Sequence, residues 1–199
     1  MLTLNKHFNI KSDPLEKHPK IILVRKFSEI SLEEFTKDFI YAESSGQEII
    51  PIQIDSPGGC VYSLLGMLDV IQRSNKNICT FTNTKAFSCG SVLLAAGTPG
   101  FRFASKNSSV LVHEMSAGTF GKSSEMLNDM DNIVELNEKL FSILDKLSGN
   151  SKGFFKEELK QNGNADLYYS PSNAVKVGLI DKVKSPSFEI FLDQKFKLL

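Results

Sequence analysis

The chain has 199 residues, 41% of them hydrophobic, enough for one sizeable buried core. Its 23 Lys and Arg balance its 23 Asp and Glu, so composition offers no electrostatic footprint for nucleic acid or an anionic membrane surface. No apolar run reaches the ~20 residues that span a bilayer. The opening Met1-Leu2-Thr3-Leu4-Asn5-Lys6-His7 also lacks an apolar h-region, which argues against export and for a cytoplasmic protein.

Residues 1–19 are polar, carry two prolines and read as an extended N-terminal arm. A single domain is expected over 20–199. Ile21 to Val24 is a short buried strand. Ser31 and Glu34 have capping-box spacing, and Phe35, Phe39, Ile40 and Ala42 follow at roughly helical intervals. Glu48 to Ile54 reads as a strand, Asp55-Ser56-Pro57-Gly58-Gly59 as a turn, and Val61 to Ile71 as a helix. Ile78 to Phe81 is a strand and Ser88 to Ala96 a buried helix ending at Gly97. Phe101 to Ala104 and Val110 to Val112 are short strands. Past Gly118 and Gly121, apolar residues from Met126 to Leu147 recur every three or four positions without Gly or Pro until Gly149, predicting one long helix. Phe154 to Leu159 is a short helix and Leu167 to Tyr169 a strand. Ser170-Pro171 opens a last helix that Gly178 ends, Ile180 to Val183 closes the core, and Phe188 to Leu199 is a tail. The alternation of strand and helix argues for an α/β fold of crossover units.

Chemistry concentrates at Thr84 to Ser91, where small residues crowd around Ser88 at the start of a helix. Such a hydroxyl sits near the positive end of the helix dipole; alternatively it only caps the helix. Two of the three histidines, His7 and His18, fall in the arm, and His113 ends the strand Val110 to Val112. Acyl transfer from Ser88 needs a base that titrates near neutral pH, and His113 is the one available. A carboxylate would then fix the imidazole tautomer. Asp166, just before Leu167, could do so or could be an ordinary turn aspartate; Asp55, Asp129, Asp131 and Asp181 are rivals, with Asp55 foremost among them because it too ends a strand. Gly58 and Gly59 let backbone approach a substrate, and the amides of Gly59 and Cys89 could hold an oxyanion. Cys60, Cys79 and Cys89 are odd in number and lack metal-like pairing with histidine, so they read as reduced thiols.

Taken together these segments resemble the ClpP family, the proteolytic subunit of the ATP-dependent Clp protease, from about Ile52 to Val183. Asp55-Ser56-Pro57-Gly58-Gly59 is similar to the family's Asn/Asp-Ser-Pro-Gly-Gly turn. Ala86-Phe87-Ser88-Cys89-Gly90-Ser91 resembles its Ala-Ala-Ser-Met-Gly-Ala nucleophile motif. Ser109 to His113 is similar to the strand bearing the family histidine, and Asp166 stands where the family has its aspartate. The resemblance implies a spiral of ββα units with a long handle helix. It implies Ser88 as nucleophile, His113 as base, Asp166 as orienting carboxylate, and Gly59 and Cys89 as oxyanion donors. It further implies seven-subunit rings, stacked in pairs around a chamber and fed unfolded polypeptides by an ATP-driven AAA+ unfoldase of the Clp type. The subunit itself would need no cofactor or metal, and would bind neither nucleic acid nor membrane. The chain departs from the family at Phe87, at Cys89, at Glu114-Met115 in place of Gln-Pro, and throughout the region before Glu48, so an organellar or phage-encoded origin stays open.

Three other readings compete. A crotonase-type acyl-CoA enzyme shares the spiral core and a two-amide oxyanion hole but does not need the serine, histidine and aspartate together. A Ser-Lys dyad would use Lys85. A ring subunit without activity would serve assembly or regulation, with Phe87 obstructing the groove.

Overall fold

A computed structural model describes residues 18–118 and 120–189. Apart from His18 and Pro19, the expected arm lies outside the described residues, and so does the tail beyond Glu189.

The chain advances in strand–helix turns. β1 (Ile22–Val24) precedes α1 (Glu29–Ser44), and β2 (Ile49–Ile54) precedes α2 (Val61–Gln72). β3 (Asn77–Thr82) and β4 (Lys85–Phe87) precede α3 (Cys89–Ala95), and β5 (Arg102–Ala104) and β6 (Ser109–Val112) precede α4 (Ser123–Ser148). α5 (Phe154–Gln161), β7 (Leu167–Tyr169), α6 (Pro171–Lys176) and β8 (Lys182–Val183) complete the described elements. Strands β1-β2-β3-β5-β8, in that order, form a parallel sheet. The order β4-β6-β7 forms a second sheet, parallel between β4 and β6 and antiparallel between β6 and β7. The β2–α2 turn has no second strand, yet Ser56 makes a parallel bridge to Ala86 and so joins the edge of the smaller sheet. The three turns beginning at β2, β3 and β5 therefore add to one sheet, then the other, then a helix. This is the α/β fold with a long helix that the sequence predicts, in the ββα spiral that the resemblance implies.

Apolar composition follows this layering. Ile50, Ile52 and Ile54 of β2 are fully buried because a parallel strand is covered on both faces. Phe35 and Phe39 of α1 and Leu64 and Met67 of α2 pack into the same core. α3 is buried along its entire length, so its apolar run supplies the centre of the molecule and anchors whatever its first residue carries. At the far end Arg102 of β5 ties the spiral together. Its guanidinium donates to Asp181 and to the carbonyls of Leu147 and Gly178.

Two local expectations shift. The capping box forms at Ser28 and Ser31, each backbone N–H donating to the other's hydroxyl at 3.2 and 2.8 Å, so α1 starts a turn ahead of the expected Ser31–Glu34 box. Lys85–Phe87, to which the sequence pattern assigns no element, is strand β4, because its backbone pairs with Ser109–Leu111 on one side and Ser56 on the other.

Candidate active site

The smaller sheet brings the candidate residues together by register alone. β4 pairs with β6 so that Phe87 faces Leu111, and the next amide, that of Ser88, donates to the Leu111 carbonyl at 3.0 Å. β6 and β7 run antiparallel with Val112 opposite Leu167. One step further along that register sets His113 opposite Asp166. The Ser56–Gly59 turn lies against the other side of β4 through Ser56, whose carbonyl accepts from the Phe87 N–H at 3.0 Å. Four loop segments distant in sequence thus end at one sheet edge.

Ser88 precedes α3 with φ 55° and ψ −122°, a conformation that costs a non-glycine residue on the order of 1–3 kcal/mol. Its side chain makes no capping hydrogen bond, so the plain capping reading does not describe it. Ser91 holds the turn instead, its N–H and hydroxyl both donating to the Ser88 carbonyl at 2.9 and 2.7 Å. Gly58 has φ 108°, and a Cβ there would lie 2.7 Å from the Ser88 Cβ, so only glycine fits against the serine. Among the described residues, neither the Gly59 amide nor the Cys89 amide donates to a backbone carbonyl, the latter because it opens α3.

His113 Nδ1 lies 3.8 Å from Asp166 Oδ1, an ion-pair distance longer than a direct hydrogen bond. Their side chains are 23% and 51% exposed. The rival carboxylates are engaged elsewhere or stand apart. Asp55 accepts from the Thr84 hydroxyl, and Asp181 is bound to Arg102. Asp129 and Asp131 are exposed on α4. Of the five candidates, Asp166 is the one that meets the imidazole.

Ser88, Gly59, Cys89 and His113 line a cavity of about 260 Å³. Its walls include Val61 and Leu64 from α2 and Leu140, Phe141 and Leu144 from α4. Asn137, which lines the cavity, escaped the sequence reading. Asn137 on α4 accepts from the Met115 N–H at 3.0 Å, fixing the segment just past His113; a lone polar residue on a helix gives no sequence signal for this. Met115, noted only as a departure, is its partner. Phe87 does not line the cavity, for its ring packs edge-on against Tyr168 at 5.9 Å. Lys85 lies in β4 and is likewise absent from the lining. Among the described residues no group of three or more His, Cys, Asp or Glu gathers in a metal-binding arrangement.

An α/β spiral in which a serine at a strained strand-to-helix turn shares a cavity with a histidine, and that histidine faces an aspartate, is an arrangement that peptidases and acyl-transfer enzymes could each use. Comparison resolves which branch this chain is on: residues 5–187 match the Clp protease family, and the chain belongs to it. It is 37% identical over 145 residues to the ATP-dependent Clp protease proteolytic subunit 1 of Prochlorococcus marinus strain MIT 9312, covering 73% of this chain and 72% of that one. The like-named protein of Prochlorococcus marinus subsp. pastoris is 37% identical over 145 residues, 73% of this chain and 71% of its own. The ATP-dependent Clp protease proteolytic subunit 2 of Frankia casuarinae is 33% identical over 175 residues, 86% of this chain and 79% of its own.

Proposed function

We propose that the chain is a serine endopeptidase that cuts unfolded polypeptides into short peptides. Ser88 is the nucleophile, His113 the general base, Asp166 the carboxylate that orients the imidazole, and Gly59 and Cys89 the oxyanion donors. The observation that carries this reading is the register of β4, β6 and β7, which sends Ser88, His113 and Asp166 to one edge.

His113 takes the Ser88 proton as the hydroxyl attacks a peptide carbonyl. The two amides stabilise the tetrahedral oxyanion, and His113 then protonates the leaving amine. Water repeats the sequence on the acyl-enzyme. The imidazole must close on both neighbours during this cycle, as catalytic hydrogen bonds often tighten only around substrate. The aliphatic and aromatic walls of the cavity favour an apolar side chain next to the cleaved bond.

The proposal extends to assembly. Residues 20–199 act as one domain and 1–19 as an arm, the copies stack as two seven-membered rings, and a Clp-type AAA+ unfoldase hydrolyses ATP to feed them. No described helix is long and apolar enough to cross a membrane, and free thiols at Cys60, Cys79 and Cys89 suit a reducing, cytoplasmic setting.

Ser88→Ala tests the chemistry. Hydrolysis of small fluorogenic peptides should fall by a factor on the order of 10⁴ or more, with the mass of the native particle unchanged and labelling by a fluorophosphonate abolished. Turnover persisting in that variant would overturn the assignment. One observation favours a second reading, a ring subunit without activity: the 3.8 Å gap between His113 and Asp166 exceeds hydrogen-bond length. Unmodified chain that assembles but neither cleaves peptide nor takes the fluorophosphonate would decide for it.

A further inference from the structure

Two thiols flank Gly59. Cys60 is exposed at the N-terminal end of α2, and its backbone N–H donates to the Phe27 carbonyl at 2.9 Å. Cys89 is buried at the start of α3, and its Sγ–H donates to the Gly59 carbonyl at 3.3 Å. That carbonyl belongs to the peptide unit leading directly into Cys60, so the Cys89 sulfur touches the backbone that carries the other thiol. The Cys60 thiol is also near enough to act electrostatically on that of Cys89; a disulfide between them would require Cα atoms roughly 4.4–6.8 Å apart.

We propose that Cys60 and Cys89 are a peroxide-responsive pair whose closure to a disulfide displaces the Gly59 and Cys89 amides and turns the peptidase off. The inference rests on the assignment of those amides as oxyanion donors. The two sulfurs have distinct parts. The N–H of Ser63, with help from its hydroxyl and the N–H of Tyr62, outweighs burial and holds the Cys60 thiol below its ordinary value, so Cys60 reacts first. Burial pushes the Cys89 thiol up to about 11 and shields it from solvent, so it acts second. Cys79, buried in β3 and also pushed up to about 11, takes no part.

In the first step the Cys60 thiolate attacks one oxygen of a hydroperoxide, the O–O bond breaks, and hydroxide or alkoxide leaves with a proton from solvent. The product is a sulfenic acid. In the second, the Cys89 sulfur attacks the Cys60 sulfur, and its proton leaves with the sulfenic hydroxyl as water. Two electrons have passed from the thiol pair to the peroxide. A thiol reductant reverses the bond by exchange.

Treating the full chain with hydrogen peroxide, alkylating the remaining thiols and mapping its peptides reads the bond directly, while fluorogenic peptide hydrolysis reads its effect. A Cys60–Cys89 cross-linked peptide should accumulate in step with a loss of activity on the order of 100-fold, the scale of a lost oxyanion donor, and dithiothreitol should restore both. Cys60→Ser should keep its starting activity and lose the peroxide response. Cys89→Met should form no cross-link and instead trap dimedone at Cys60. Absence of the cross-link, an undiminished rate in cross-linked protein, or an equal peroxide response in Cys60→Ser would each overturn the proposal. A chain that cross-links but never cleaved peptide before treatment would sink the peptidase assignment while leaving the thiol chemistry standing.

Discussion

At the scale of single residues, the site depends on backbone positions that only small residues tolerate. Gly58 abuts Ser88 so closely that an added methyl group would force the Ser88 turn to move. Gly58→Ala should therefore lower peptide hydrolysis by on the order of 100-fold through a displaced nucleophile, and its thermal midpoint should fall as well, because φ at this position is 108°. Peptide kinetics and a melting curve on the same preparation check both. Ser88 itself is legible in sequence as a hydroxyl among small residues at a helix entry. Its left-handed backbone is not, because nothing in the residue type announces a positive φ. Asp166 was separable from Asp55 and Asp181 only by resemblance, since the partners that engage those two, Thr84 and Arg102, lie 29 and 79 positions away in the chain.

At the scale of elements, periodicity served the long and strongly patterned segments well. The helix expected from Met126 to Leu147 is α4, and the isoleucine-rich run before Asp55 is β2. Among the short strands β1, β5, β6 and β7 were legible as apolar runs, and β4 was not. Only three residues long, β4 owes its existence to pairing on both flanks and carries too few residues for an alternating pattern to register. Such pairing is tertiary information, and it is what makes Lys85–Phe87 the strand that leads into Ser88. The Arg102–Asp181 pair performs a comparable service for β5 and the segment leading into β8. Burial pushes the Asp181 carboxyl up, but the Arg102 hydrogen bonds and charge outweigh it and hold it below the usual carboxylate range. A carboxyl lower in the folded than in the unfolded chain contributes stability above its unfolded value of about 3.9, and that contribution fades as pH drops through the folded value. Denaturant melts taken from pH 6 downward should show this acid loss. Asp181→Asn should flatten that part of the profile and, by leaving Arg102 short of its partner, cost about 3 kcal/mol near neutrality.

At the scale of the whole molecule, the first half of α4 stands out from the spiral. Met126, Leu127, Met130 and Val134 are all exposed there, with Leu127 67% and Val134 57% accessible. An apolar stripe of this kind on a protruding helix fits an assembly contact better than solvent. Replacing Leu127 and Val134 together by Glu should leave the far-ultraviolet circular dichroism and the melting point of the subunit nearly unaltered. The native mass should drop to that of a smaller species. An undiminished particle mass would show that this stripe is not where copies meet.

All five groups proposed for the chemistry come from a single chain, drawn to one sheet edge by the register of β4, β6 and β7 and by the Ser56–Ala86 bridge. A particle built from intact and Ser88→Ala copies is then a population of independent workers rather than a committee. Its turnover should decline in simple proportion to the share of disabled copies. A steeper decline would mean that neighbours must act in concert to ready each other's imidazoles.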